Sequence, residues 1–123
     1  MAKKILVVED NPVNRRLIVD ILRHFGYELI AAGNGEVGMK MAKEQKPDLI
    51  LLDLQMPVLD GFETLNLLRN ASETRGTKVI AVTSYAMAGD REKILATGFD
   101  EYISKPLNTR ELPEIVKKMI GEA

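Results

Sequence analysis

The sequence predicts a doubly wound α/β domain, a parallel sheet with helices on both faces. Three observations carry that expectation. Short apolar runs alternate with helix-period segments from end to end; the runs are apolar at consecutive positions, as in strands buried on both faces; and the connections are short. Five β-then-α units result, and right-handed crossovers leave few topologies for them. The 123 residues suit one domain, with no linker, repeat or low-complexity tract to divide it.

Each element has its own signal. Ile5-Leu6-Val7-Val8 is short and rich in β-branched residues, so it reads as a buried strand. Asn11-Pro12 supplies an N-cap and a first-turn proline. Val13, Leu17, Ile21 and Phe25, with Ile18 and Leu22, then form a stripe at helical spacing that ends at Gly26. A weaker strand follows at Glu28–Ala32, and a helix over 36–45 is stopped by Pro47. Leu49-Ile50-Leu51-Leu52 is the third strand. Asp60, with Glu63 three residues on, is a capping box opening the third helix. Val79-Ile80-Ala81-Val82 is the fourth strand; a helix at Asp90–Ala96 stops at Gly98, and Glu101–Ser104 is a short fifth strand. Leu112, Ile115, Val116, Met119 and Ile120 make the last amphipathic helix, which ends three residues before the chain does. Pro113 falls inside that helix, where a proline removes a hydrogen bond, and this implies a kink or a late start.

Composition narrows the function. Hydrophobic residues at 46% and charged residues at 28% describe a globular chain rather than a disordered one. A net charge of -1 argues against nucleic acid or an anionic membrane as the direct partner. The absence of cysteine excludes disulfides, thiolate zinc sites and cysteine nucleophiles. No secretory segment or bilayer-length apolar stretch is present, so a cytoplasmic location is expected.

Ligands of open α/β sheets bind beyond the carboxyl ends of the strands. Those ends carry Glu9-Asp10, Asp53, Thr83 and Lys105-Pro106, so three carboxylates, a hydroxyl and a lysine converge on one edge. Each has a bland reading alone: an aspartate after a strand often only caps a helix, although Asn11-Pro12 already fills that role. Together they suit Mg²⁺, a hard cation that takes oxygen ligands. Magnesium and Lys105 formally cancel the three negative charges, leaving a site ready for an anion. Phosphoryl transfer needs these parts: a carboxylate nucleophile, a divalent ion, a cation and a hydroxyl donor.

The chain resembles the receiver domain of two-component response regulators over essentially its whole length, 1–123. The resemblance rests on Val-Val-Glu-Asp-Asn at 7–11, Leu-Leu-Asp-Leu-Gln-Met-Pro at 51–57, Asp60-Gly61, Ala-Val-Thr-Ser at 81–84 and Ser-Lys-Pro at 104–106. It implies a flavodoxin-like (βα)5 sandwich of strand order 2-1-3-4-5. It makes Asp53 the phospho-acceptor, with Mg²⁺ held by Asp10, Asp53 and the Gln55 carbonyl and by Glu9 through water. Lys105 would contact the phosphoryl group, the Lys105–Pro106 bond would be cis and turn the lysine inward, and Thr83 and Tyr102 would be the switch pair. Pro57, Gly61 and Pro106 become structural positions. The donor would be a phosphohistidine on a sensor histidine kinase or a histidine phosphotransfer protein. Thr83 would then move in to donate a hydrogen bond and Tyr102 would rotate, altering the face of the fourth helix, fifth strand and fifth helix. Ala86, Ala88 and Gly89 flank that fourth helix, which has few apolar anchors.

The motifs resemble single-domain regulators of the DivK type and the receivers of hybrid kinases. Output is expected through a downstream protein in another chain, from a monomer or a phosphorylation-dependent dimer. Tyr85, two residues after Thr83, is expected to obstruct water at the site and lengthen the phosphoryl lifetime. The domain would assist its own modification without turning over as an enzyme. The competing reading is an aspartyl-nucleophile phosphohydrolase of the haloacid-dehalogenase type, but that chemistry needs a second acid where Gln55 stands. Gly33-Asn-Gly35-Glu-Val-Gly38 matches a dinucleotide fingerprint but follows the second strand, and Asn34 and Gly35 read better as a turn and cap. His24 is alone and reads as structural. Arg15, Arg16 and Arg23 read as a solvated face, with Asn14, Arg15 and Ile18 as a secondary expectation for a kinase-docking patch.

Overall fold

A computed structural model describes residues 2–56, 59–84 and 89–123. Five units follow in order: β1 (Lys4–Val8), α1 (Pro12–His24), β2 (Glu28–Ala32), α2 (Gly35–Gln45), β3 (Leu49–Asp53), α3 (Gly61–Asn70), β4 (Lys78–Thr83), α4 (Asp90–Ala96), β5 (Glu101–Ser104) and α5 (Glu111–Ile120). The strands form one parallel sheet in the order β2-β1-β3-β4-β5, as expected. Pro57, Tyr85, Ala86 and Ala88 lie outside the described residues.

Strand alternation sorts the apolar residues into two cores. Leu6, Val8, Ile50, Leu52, Val79 and Ala81 face one layer, with Leu65, Leu68, Ile94 and Phe99. Ile5, Val7, Leu49, Leu51, Ile80 and Val82 face the other, with Ile18, Leu22, Leu112 and Val116. Both faces of β1, β3 and β4 are therefore dry, and each fully buried Leu or Ile contributes about 1.5–3 kcal/mol.

The caps lie where the sequence put them. Asn11 accepts hydrogen bonds from the Val13 and Asn14 N–H groups, and Asp60 and Glu63 form a reciprocal capping box. Asn34 caps α2. Gly35 and Gly38 serve packing: a Cβ at Gly35 would lie 2.3 Å from Thr64 Oγ1, and one at Gly38 2.7 Å from Val8 Cγ2. Pro113 is the third residue of α5, inside the first turn, where backbone N–H groups have no intrahelical partner to lose. The late start is therefore the right account of it.

The α1 stripe is narrower than its spacing suggested. Ile18 and Leu22 are buried, whereas Val13 is 74% exposed, Leu17 40% and Phe25 54%. These three lie along the edge of the apolar arc that turns away from the sheet.

Candidate functional site

The site forms where β1, β3, β4 and β5 end. Asp53 is the last residue of β3 and Glu9 follows β1; they are 2% and 1% exposed, while Asp10 faces solvent. One oxygen from each of the three carboxylates lies within 4.8 Å of the others. Lys105 Nζ sits 3.1 Å from Glu9 Oε1 and 3.3 Å from Asp53 Oδ2. The Gln55 N–H donates to Asp53 Oδ1 at 3.0 Å, and the Asn11 N–H to Glu9 Oε2 at 3.3 Å. The Lys105–Pro106 peptide is cis. Gly61 is obligatory here, because a Cβ would stand 2.6 Å from the Asp53 carbonyl oxygen and 2.7 Å from Leu54 Cα.

The two buried carboxylates share one ammonium, and their protonation splits. Burial, reinforced by the hydrogen bond and charge of Asp53, pushes Glu9 up to about 7. Burial also works against Asp53 as an anion, but Glu9, the Gln55 N–H and Lys105 outweigh it and hold Asp53 below its ordinary value. Lys105 is raised: burial opposes its charge, and the two carboxylates overcome that opposition. The pocket therefore favours the anion at Asp53 and the proton at Glu9.

The donor set fits a divalent cation. Glu9 Oε1 is buried and faces the Lys105 ammonium, yet accepts no well-directed hydrogen bond. Such an oxygen, beside two further carboxylates, has coordination capacity left for a hard ion.

Thr83 is fully buried at the end of β4, and its carbonyl accepts the Lys105 N–H at 2.7 Å. Tyr102 pairs with Ala81 across β4–β5 and packs, half-buried, against the core that holds Ile94 and Phe99. Burial pushes its hydroxyl up, with Asp90 and Glu111 adding to the rise. Beside it Glu101 Oε1 accepts from Arg91 at 2.8 Å and from the Tyr102 N–H at 3.0 Å, while Lys118 pairs with Oε2 at 3.2 Å.

Three features escaped the sequence reading. The Gln55 carboxamide oxygen accepts from the Ser84 N–H at 2.9 Å and from the Ser84 hydroxyl, joining two loops over the site. Arg15 is not a solvated residue: its Nη1 donates to the Glu9 carbonyl at 2.9 Å. Ile18, at 1% exposure, is core and cannot dock a partner. A groove of about 420 Å³ beside Lys105 is lined instead by Asn14, Leu17, Ser84, Pro106 and Leu107. A larger cleft of about 620 Å³, between Phe25, Tyr27, Pro113 and Lys117, shares no residue with the carboxylates, so volume does not mark the chemistry here. His24 is exposed and stacks edge-on against Phe25.

The sequence model of the response regulator receiver domain family matches residues 5–117. The polar-differentiation response regulator DivK of Brucella anthropi is 42% identical over 123 residues, the whole of both chains. Its counterpart in Brucella ovis is 41% identical over the same span. The receiver domain of a Pseudomonas aeruginosa sensor histidine kinase, solved with a magnesium ion coordinated in the active-site cleft, is 38% identical with a TM-score of 0.89, covering 99% of this chain and 100% of that one. The Vibrio cholerae chemotaxis protein CheY4 gives a TM-score of 0.89 at 26% identity, with 97% and 99% covered.

Proposed function

The chain belongs to the response regulator receiver domain family, and from that premise we propose that it is a phospho-acceptor switch in which Asp53 takes a phosphoryl group from a phosphohistidine. The observation that carries this reading is the geometry of the pocket: Asp53 ends β3 at 2% exposure, with Lys105 Nζ 3.3 Å away and the Glu9 and Asp10 carboxylates beside it. A buried carboxylate that is ionised and opens onto the strand-end edge is an available nucleophile.

The step balances simply. An Asp53 oxygen forms a bond to phosphorus, the phosphorus–nitrogen bond to the donor imidazole breaks, and the imidazole leaves with the electron pair and takes up a proton. Lys105 is placed to meet the incoming oxygens, and Thr83 to donate to them. Glu9, Asp10, Asp53 and the Gln55 carbonyl are the residues that would hold Mg²⁺. When bound, the ion supplies the positive charge that lets a phosphoryl dianion approach three carboxylates. After transfer, Asp53 carries up to about −2 with new acceptor oxygens. Moving a two-state equilibrium from 1:99 to 99:1 needs about 5.5 kcal/mol. Two or three charge-assisted hydrogen bonds at about 1.5–3 kcal/mol each are enough. Thr83 and Tyr102 would carry the change to the face of α4, β5 and α5, where Glu101 joins Arg91 to Lys118.

The groove beside Lys105 is where we place the kinase or phosphotransfer partner, since an occupant there lies next to Asp53. A downstream protein would read the α4–β5–α5 face. In this reading the chain acts as a cytoplasmic regulator; none of the helices among the described residues is long and apolar enough to cross a membrane. The phosphohydrolase reading is not favoured: the position of its second acid holds Gln55, whose carboxamide is engaged with Ser84.

Incubation with magnesium and a small acyl phosphate is expected to add one phosphoryl mass to the protein, and Asp53→Asn to abolish the addition. An unchanged mass for the wild type in magnesium would refute the reading.

A further inference from the structure

We infer that Arg15 is a positioning residue for the acidic pair, fixing through the Glu9 carbonyl where Glu9 and Asp10 point. The inference rests on the reading of that pair as the metal site. The Glu9 residue is gripped at both ends of its main chain. Its N–H donates to the Ala32 carbonyl at 3.1 Å, and its carbonyl accepts Arg15 Nη1 at 2.9 Å. The carbonyl belongs to the peptide joining Glu9 to Asp10, so holding that plane sets both side chains at once: Glu9 inward and buried, Asp10 outward to solvent.

The arrangement runs against the helix field. Arg15 lies in the first turns of α1, where the macrodipole disfavours a cation, yet its guanidinium folds back past the N-cap. Room for it comes from Gly33 on the neighbouring loop, where a Cβ would lie 3.3 Å from Arg15 Nη1. Arg16 behaves differently: its side chain is 85% exposed and pairs along the helix with Asp20 at 3.6 Å. One arginine braces the loop; its neighbour is surface.

Two accounts of Arg15 predict opposite signs. A cation near a metal site weakens cation binding by repulsion, so its removal would tighten magnesium. A brace holds the ligands in place, so its removal loosens magnesium, and partners that orient ligands typically contribute about tenfold or more to affinity.

The experiment is calorimetric titration of magnesium into the full chain, with acyl-phosphate phosphorylation followed over the same magnesium range. Arg15→Met is expected to raise the magnesium Kd about tenfold, while the rate at saturating magnesium stays close to wild type. Arg15→Lys, which can still donate to one carbonyl, stays within about threefold of wild type. Arg16→Met leaves the Kd unchanged. Gly33→Val retains the arginine but crowds its guanidinium, and weakens magnesium in the same direction as Arg15→Met. It also decides the matter if Arg15→Met fails to fold. An unchanged or tighter Kd in Arg15→Met, or a wild-type Kd in Gly33→Val, overturns the inference. Failure of the wild type itself to bind magnesium would sink the functional reading instead.

Discussion

Replacing Asp53 by asparagine should flatten the loss of stability that the metal-free protein shows as pH rises through neutrality. Glu9 and Asp53 are 1% and 2% exposed and face each other across a single ammonium. Burial first, then Asp53, raises Glu9 from 4.5 to about 7. At 1.36 kcal/mol per pKa unit, ionising Glu9 in the native state costs about 3 kcal/mol more than in the unfolded chain. The folded-state value lies above the unfolded one, so this contribution is fully present below pH 4.5 and is lost as pH climbs through about 7. Asp53 has the opposite sign: its folded value is depressed, so its contribution exists above 3.8 and fades as pH falls. In Asp53→Asn, burial still raises Glu9 and Lys105 still lowers it, but both influences of Asp53 are weakened or gone. The loss between pH 5 and 8 should therefore be smaller in the variant than in wild type, while the contribution of ionised Asp53, constant over that range, is lost at every pH in it. Urea unfolding in chelator at several pH values between 5 and 8 measures it. Added magnesium should flatten the wild-type profile, since the ion favours ionised Glu9. Parallel profiles for the two proteins in chelator would refute the charge account of the pocket.

Two further outcomes follow from packing. Gly35→Ala should cost about 1–3 kcal/mol by denaturation, against the ordinary helix gain, because the new methyl meets Thr64 Oγ1 at 2.3 Å and the Leu59 carbonyl oxygen at 3.1 Å. Leu17→Ala and Ile18→Ala should separate surface from core. The first leaves stability within about 0.5 kcal/mol and slows transfer from a protein donor but not from a small acyl phosphate. The second costs about 2–4 kcal/mol, and equal effects of the two on transfer would refute the groove assignment.

What the sequence made legible was local or periodic. Asn11-Pro12 and the Asp60/Glu63 box announce helix starts within four residues of chain, and consecutive apolar runs announce strands dry on both faces. The strand ends then fall on one edge by topology alone, which is why Glu9, Asp10, Asp53 and Lys105 could be grouped before any coordinates. What stayed hidden depends on the third dimension in a way that no spacing encodes. The apolar arc of α1 is wide enough to include Val13 and Leu17, and only the position of the helix over the sheet decides that Ile18 and Leu22 face inward. Gln55 and Ser84 are 29 positions apart and meet because β3 and β4 are neighbours. The partner of Arg15 is a main-chain carbonyl, which every residue possesses, so no side-chain pattern could point to it.

Lys105 shows why a charge change in this pocket need not stay local. Its ammonium lies within ion-pair distance of both buried carboxylates, so added negative charge at Asp53 would be felt there directly. Its main-chain N–H, meanwhile, is bonded to the Thr83 carbonyl, and β5 immediately before it carries Tyr102 and Glu101. One residue thus joins the proposed acceptor carboxylate, the proposed switch threonine and the strand whose buried glutamate binds Arg91 and Lys118. A rearrangement that moves the Thr83 main chain toward Asp53 would carry Lys105 with it or break their 2.7 Å hydrogen bond, whereas rotation of the side chain alone would leave that bond intact. Breaking such a bond unreplaced costs about 1–3 kcal/mol, so a main-chain movement of Thr83 would favour a concerted shift of β5. The contacts that would meet a new charge at Asp53 thus lead through Lys105 toward β5.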